Sequence, residues 1–170
     1  MINFWREIKK NDLADICQIA SLCHPNFPED TDVLEEKIRL SPQTCFVYQT
    51  KTNIAGYILA HPYKYGEIPA LNVFLNKLPD DADSLYIHDL AIMPEARITG
   101  LGYQAAQIMV DSARQKKLLS LSLVAVNGSE GFWKKQNFSV VEPSEQLKEK
   151  LRTYGNDALY MQRSLHHDKA

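Results

Sequence analysis

Arg97, Gly100 and Gly102 are the residues whose types and spacing could hold an anion. An apolar run, Leu85-Tyr-Ile-His-Asp-Leu-Ala-Ile92, leads through a short polar turn into them and on into a helical pattern. The first N–H groups of a helix have no partner inside it, and the helix dipole adds positive charge at that end, so phosphate oxygens bind there. Gly100 and Gly102 carry no Cβ to hold an anion off the backbone, and Arg97 can add a charge-assisted contact at the rim. The chemistry suggested is the seating of a phosphorylated cofactor. A strict P-loop is excluded, because no Lys-Ser or Lys-Thr follows the glycines. Gly100-Leu-Gly-Tyr-Gln-Ala105 fits the loose dinucleotide pattern G-x-G-x-x-A, but its strand ends near Met93, several residues too early. The next strand ends in Asn127 and Gly128, with no acid to hold a ribose.

Proton transfer is the second chemistry in view. Strand alternation sets Tyr86, His88, Leu90 and Ile92 on one face and Ile87, Asp89 and Ala91 on the other. An imidazole titrates near about pH 6.5 and suits a general base; the other reading of His88 is a hydrogen-bonded core histidine. Asp89 reads as a structural partner that orients its neighbours. His24, His61, His88, His166 and His167 show no ligand spacing with Cys or Asp, so no metal site is expected. Cys17, Cys23 and Cys45 lie in apolar surroundings and read as reduced core thiols.

The elements that must position these residues follow from periodicity. Ile2 to Ile8 reads as a strand, and Asn11 can cap a helix through Cys23 with Leu13, Ile16, Ile19 and Ala20 on one face. His24-Pro-Asn-Phe-Pro28 breaks it, and a second helix spans about Asp30 to Leu40. Thr44 to Gln49 and Ile54 to His61 form a hairpin. The irregular stretch from Pro62 to Asp83 is long enough for a functional lid or rim, or for a surface excursion that packs Phe74 and Leu75 over the sheet; Leu71 to Leu78 reads as a short helix or strand. Tyr103 to Lys117 reads as a helix, Leu119 to Val126 as a buried strand, and Ser129 to Gln136 as a short helix. Phe138 to Val141 and Ala158 to Ser164 supply the last strands, with Glu145 to Leu151 helical between them. Helices alternating with strands, hairpins among them, argue for a mixed α/β sheet.

The Arg97-x-x-Gly100-x-Gly102 spacing resembles the signature of the GNAT superfamily of acyl-CoA N-acyltransferases, in which Arg or Gln is followed by two residues, Gly, one residue, and Gly or Ala. Leu90-Ala-Ile-Met-Pro94 is similar to that family's fourth strand and its exit. Asn127-Gly-Ser-Glu-Gly-Phe-Trp-Lys-Lys-Gln-Asn-Phe138 is similar to its Asn…Phe-Tyr-x-x-x-Gly-Phe element. Order and spacing agree across residues 84–140; Trp133 stands where tyrosine is usual, and Asn137 where glycine is usual. The resemblance implies a single domain over residues 1–170. Its fold would be α/β (mixed α+β): a central mixed, mostly antiparallel sheet flanked by helices.

The resemblance also implies acetyl-CoA as cosubstrate. Strands four and five would splay apart, the pantetheine arm would bond the backbone of Leu90 and Ile92, and one such N–H would face the thioester oxygen as charge develops. The pyrophosphate would sit on Arg97, Ile98, Gly100, Leu101, Gly102 and Tyr103. Asn127 is a candidate for the pantetheine amides or a turn cap, and Trp133 is expected against the cofactor. His88 lies on the strand face that, by the resemblance, carries the family's proton-accepting residues in several branches. A lysine-like amine is almost wholly protonated at neutral pH, so a base or a water relay is needed. No acid for the leaving thiolate stands out: an indole N–H cannot serve, Tyr154 and Tyr160 read equally as packing residues, and a thiolate can leave unaided.

The function implied is acetyl transfer to a primary amine: a small amine, an amino acid or a protein N-terminus. An acyl-CoA-binding module with reduced or lost catalysis is the alternative, motivated by Trp133, and a nucleotide-dependent oxidoreductase is a third. A formal net charge of −2 offers no footprint for nucleic acid. No run approaches membrane-spanning length and the start has no apolar leader, so cytoplasm is the expected location. Members of the superfamily often dimerise, which makes a homodimer an expected assembly.

Overall fold

The computed structural model describes residues 3–165, without the side chains of Ile98 and Thr99; His166 and His167 lie outside the described residues. The strands are β1 (Phe4–Glu7), β2 (Cys45–Gln49), β3 (Ile54–Tyr63), β4 (Ser84–Ile92), β5 (Ser120–Ala125), β6 (Ser139–Val140) and β7 (Leu159–Ser164). The helices are α1 (Leu13–Cys23), α2 (Thr31–Leu40), α3 (Leu101–Gln115), α4 (Glu130–Lys135) and α5 (Glu145–Leu151). The strands form one sheet in the order β1-β2-β3-β4-β5-β7-β6, parallel between β4 and β5 and antiparallel elsewhere. This is the expected mixed, mostly antiparallel sheet flanked by helices.

Each helix buries the stripe its periodicity marks. Ala105, Ala106, Met109, Val110 and Ala113 of α3 recur at helical spacing and are at most 1% exposed, packed on Ile58, Leu85 and Leu121. Ile16 and Ile19 of α1 and Leu34 of α2 cover the opposite face, against Val47, Tyr57 and Leu59. A third cluster joins Tyr86, Ile68, Tyr154 and Tyr160 to α5. The parallel β4–β5 pair needs a crossover rather than a hairpin, and α3 is that crossover. No helix among the described residues is long and apolar enough to cross a membrane.

Several expected boundaries move. The α3 helix starts at Leu101, two residues before the expected Tyr103, with Gly100 as its N-cap and Gly102 in its first turn; Gln104 N–H bonds to Gly100 O at 3.2 Å. Asn11 does not cap α1; Lys10–Asp12 is a 3₁₀ turn, and Asp12 precedes the helix. Residues 71–78 are neither helix nor strand. Their backbone is tied to α2 instead: Glu36 accepts from the N–H groups of Leu75 (2.7 Å) and Asn76 (2.8 Å), and Lys37 donates to Val73 O at 3.1 Å. With the segment drawn outward, Phe74 is 50% exposed and does not pack over the sheet.

Candidate active site

The strand β4 positions the site through two irregularities. The first is a bulge. Leu59 of β3 faces Asp89 and Ala60 faces Ile87, so His88 is one residue more than the ladder can pair. Alternation is therefore broken where the sequence pattern carries it through. Ile87 and Leu90 belong to the α3 side, while His88 and Asp89 both reach the segment between α1 and α2. The expected placement of His88 with Leu90 on one face, opposite Asp89, is corrected accordingly.

The second irregularity is a splay. β4 and β5 pair from Ser84–Ser120 to Ile87–Leu123 and then part, although β4 runs on to Ile92 and β5 to Ala125. Met93 N–H donates to Ala55 O at 2.9 Å, and antiparallel alternation then turns Leu90 and Ile92 toward the opening. Their carbonyls meet side chains there. Leu90 O lies 3.2 Å from His24 Nε2, and Ile92 O accepts from Arg97 Nε at 2.7 Å.

A cavity of about 180 Å³ fills the opening, with His24, Glu29, His88, Asp89, Asn127 and Trp133 in its wall. Two carboxylate–imidazole pairs dominate it. His88 Nε2 lies 2.6 Å from Glu29 Oε1, with the side chains 1% and 7% exposed. Burial pushes the Glu29 carboxyl up, but His88, Lys37 and the Asn72 N–H more than offset this and hold it below its ordinary value. His88 Nδ1 is buried and has no partner among the described residues. His24 Nε2 lies 2.8 Å from Asp89 Oδ1, and the other oxygen of Asp89 accepts from the Tyr57 hydroxyl. Burial opposes charge on His24, yet the Asp89 carboxylate and the Leu90 carbonyl outweigh it, and the imidazole stands above its ordinary pKa. Asp89 thus orients neighbours, as its residue type suggested, but on the same face as His88.

The α3 turn adjoins this cavity. Gly100 has φ 76°, the left-handed conformation that favours glycine. A Cβ on Gly102 would come within 2.9 Å of the Phe132 ring, which lines the cavity, so the turn and the cavity share a wall. Leu101 is buried, while Arg97, Gly100 and Tyr103 are exposed at the helix start, outside the cavity lining; the Ile98 side chain lies outside the described residues. Asn127, in the turn after β5, has φ 56°, and its Nδ2 lies 3.5 Å from His24 Nδ1. Trp133 is 6% exposed and stacks edge-on with Phe132 and Phe138 at 4.8 and 5.3 Å. Tyr154 lines the cavity, but its hydroxyl donates to Pro69 O at 2.8 Å and burial pushes its phenol up.

His24, Leu90, His88, Asn127 and Trp133 therefore come together, and Arg97, Gly100 and Tyr103 stand beside them. His24 and Glu29 escaped sequence reasoning. Both lie in a Pro-punctuated connection whose only sequence signal was a helix stop, and packing rather than periodicity brings it over β4.

A family model described as the acetyltransferase (GNAT) family matches residues 13–138. No curated protein matches the chain. Among solved structures, the loading GNATL domain of CurA from Lyngbya majuscula is similar at TM-score 0.78 and 14% identity, covering 98% of this chain and 100% of that one. Ard1 from Thermoplasma volcanium is similar at TM-score 0.72 and 16% identity, over 96% and 98%. Arabidopsis thaliana Naa50, in complex with the bisubstrate analogue CoA-Ac-MVNAL, is similar at TM-score 0.71 and 14% identity, over 97% and 100%. At such identities the likeness is one of fold.

Proposed function

The chain belongs to the acetyltransferase (GNAT) family, and from that premise we propose that it acts as a single domain that moves an acetyl group from acetyl-CoA to a primary amine. The observation that carries this reading is the splay of β4 from β5, whose cavity shares the Phe132 wall with the start of α3. The pantetheine arm bonds the open edge at Leu90 and Ile92, with Asn127 across the gap. The Leu90 N–H faces the thioester oxygen, where a fixed donor stabilises the charge that develops on attack. Helix-start N–H groups from Leu101 to Tyr103 take the pyrophosphate, and Arg97, exposed beside them, adds its charge.

His88 is the proposed base. Its Nε2 is held by Glu29, and its unpartnered Nδ1 is left to take a proton from the amine. The acceptor is a small amine, an amino acid or a peptide N-terminus; the bisubstrate complex of Naa50 supports the peptide class. Trp133 favours a second reading, a module that binds acyl-CoA and has lost catalysis, because its indole offers no acid. Calorimetry with acetyl-CoA and coenzyme A, beside NAD and ATP, tests the common premise. Selective binding of the two coenzyme A ligands is expected, and folded protein that binds neither overturns both readings. Release of thiol with an amine panel then separates enzyme from binding module.

A further inference from the structure

We propose that His24 is the acid that protonates the departing coenzyme A thiolate, a role that rests on the acetyl-transfer reading above. The ring of His24 spans the mouth of the splay. On one side Nε2 meets Asp89 Oδ1 at 2.8 Å and Leu90 O at 3.2 Å; on the other, Nδ1 lies 3.5 Å from Nδ2 of Asn127, in the turn after β5. One imidazole thus bridges β4 and the turn that follows β5, across the gap proposed for the thioester. Asp89 is anchored from its other side, where its second oxygen accepts from the Tyr57 hydroxyl. With Nε2–H committed to Asp89, Nδ1 is the nitrogen that faces the opening and carries the mobile proton. When that proton is present, Asn127 turns its amide oxygen to it.

The aromatic candidates do not fit the task. Trp133 has no acidic proton, the Tyr154 hydroxyl is engaged by Pro69 O, and Tyr160 is absent from the cavity wall and accepts from Gly66 N–H. The charged and titratable groups around His24 are Asp89 on β4, which favours the imidazolium, and Arg97 after β4, which opposes it. Cys23 precedes it on α1, and Glu29 shares the same cavity.

The step balances as follows. The amine, having given one proton to His88, attacks the thioester carbon, and the carbonyl π pair moves to oxygen. Collapse re-forms the carbonyl and breaks the C–S bond, whose electron pair takes the Nδ1 proton of His24. The second proton, shed by the newly acylated nitrogen, restores the imidazolium. One proton leaves overall, with one amide and one thiol formed.

The test needs no known acceptor. Bound coenzyme A places its thiol beside the imidazolium, so its thiolate, followed by ultraviolet absorbance against pH, forms at least about tenfold more readily than in free coenzyme A titrated alongside. The variant His24→Gln still binds coenzyme A and returns the thiol to its free titration; His24→Asn replaces it where the glutamine variant does not fold. A bound thiol that titrates as free coenzyme A in the unsubstituted protein overturns the assignment, as does a lowered titration that survives in the variant. Failure to bind coenzyme A at all is a different result, which overturns the acetyl-transfer reading itself. Once an acceptor is in hand, His24→Gln lowers kcat by about a hundredfold, at the modest end for general acids, with KM for acetyl-CoA held.

Discussion

Two carboxylate–imidazole pairs stand next to each other on β4, and water reaches them unequally: His88 and Glu29 are 1% and 7% exposed, His24 and Asp89 19% and 18%. In the drier pair, removing one partner is felt more strongly than the pair itself contributes, because a buried charge is left behind. Burial pushes the Glu29 carboxyl up, and His88 leads the effects that bring it down. We therefore expect His88→Ala to lose about 3 kcal/mol in urea unfolding at pH 7. A carboxyl whose folded pKa is depressed adds stability above its unfolded pKa and loses it as pH falls through the folded value. Without His88 the folded value rises toward the unfolded one, and this pH-dependent contribution shrinks. The variant His88→Gln keeps an N–H donor for Glu29 and most of the stability but cannot take a proton. Acetyl transfer that persists undiminished in His88→Gln removes His88 as the base.

At the scale of elements, the C-terminus of α4 accounts for one departure from the family pattern. Asn137 adopts φ 68°, and the turn closes with Asn137 N–H to Lys134 O at 3.0 Å and Phe138 N–H to Trp133 O at 3.1 Å. The Phe138 and Trp133 rings meet 5.3 Å apart. This is the Schellman arrangement with its hydrophobic contact, and asparagine tolerates the left-handed position nearly as glycine does. Asn137→Gly is thus expected to change stability by no more than about 0.5 kcal/mol, and Asn137→Val to lose about 1–2 kcal/mol in thermal unfolding, because a β-branched side chain clashes there. A neutral valine would show that the turn, not the residue, sets this conformation. What was legible in the sequence follows the same division. The stripe of α3 and the apolar run of β3 write themselves as periodicity, and Arg97, Gly100 and Gly102 as spacing. The bulge at His88 leaves no such mark, since Tyr86 to Ile92 alternates equally well with or without it. Residues 71–78 resemble an element in composition, yet Asn72 and Asn76 take φ 59° and 68° and the Glu36 carboxylate satisfies the backbone, which only the fold can arrange.

Across the whole molecule, the sheet carries one buried histidine that no catalytic reading uses. His61 is 0% exposed, with its ring 5.2 Å from Tyr63, 5.5 Å from Tyr86 and 6.4 Å from His88. Nδ1 meets Pro62 O at 3.1 Å, and Nε2 is buried without a partner among the described residues. Burial, with the nearby His88 adding to it, pushes the imidazole down to about 3. A histidine in the unfolded chain titrates near about 6.5. Between these values the unfolded chain holds a proton that the folded protein does not, so stability falls with acidification, by about 1.4 kcal/mol per pH unit for one such group. From pH 7 to 4 the protein should therefore lose about 3 kcal/mol more than His61→Gln, which cannot titrate there. Urea unfolding of both proteins at the two pH values reads the difference, and carboxylates common to both cancel. An equal loss would mean that the sheet accepts a charged His61. The desolvation argument would then fail at a histidine that is 0% exposed.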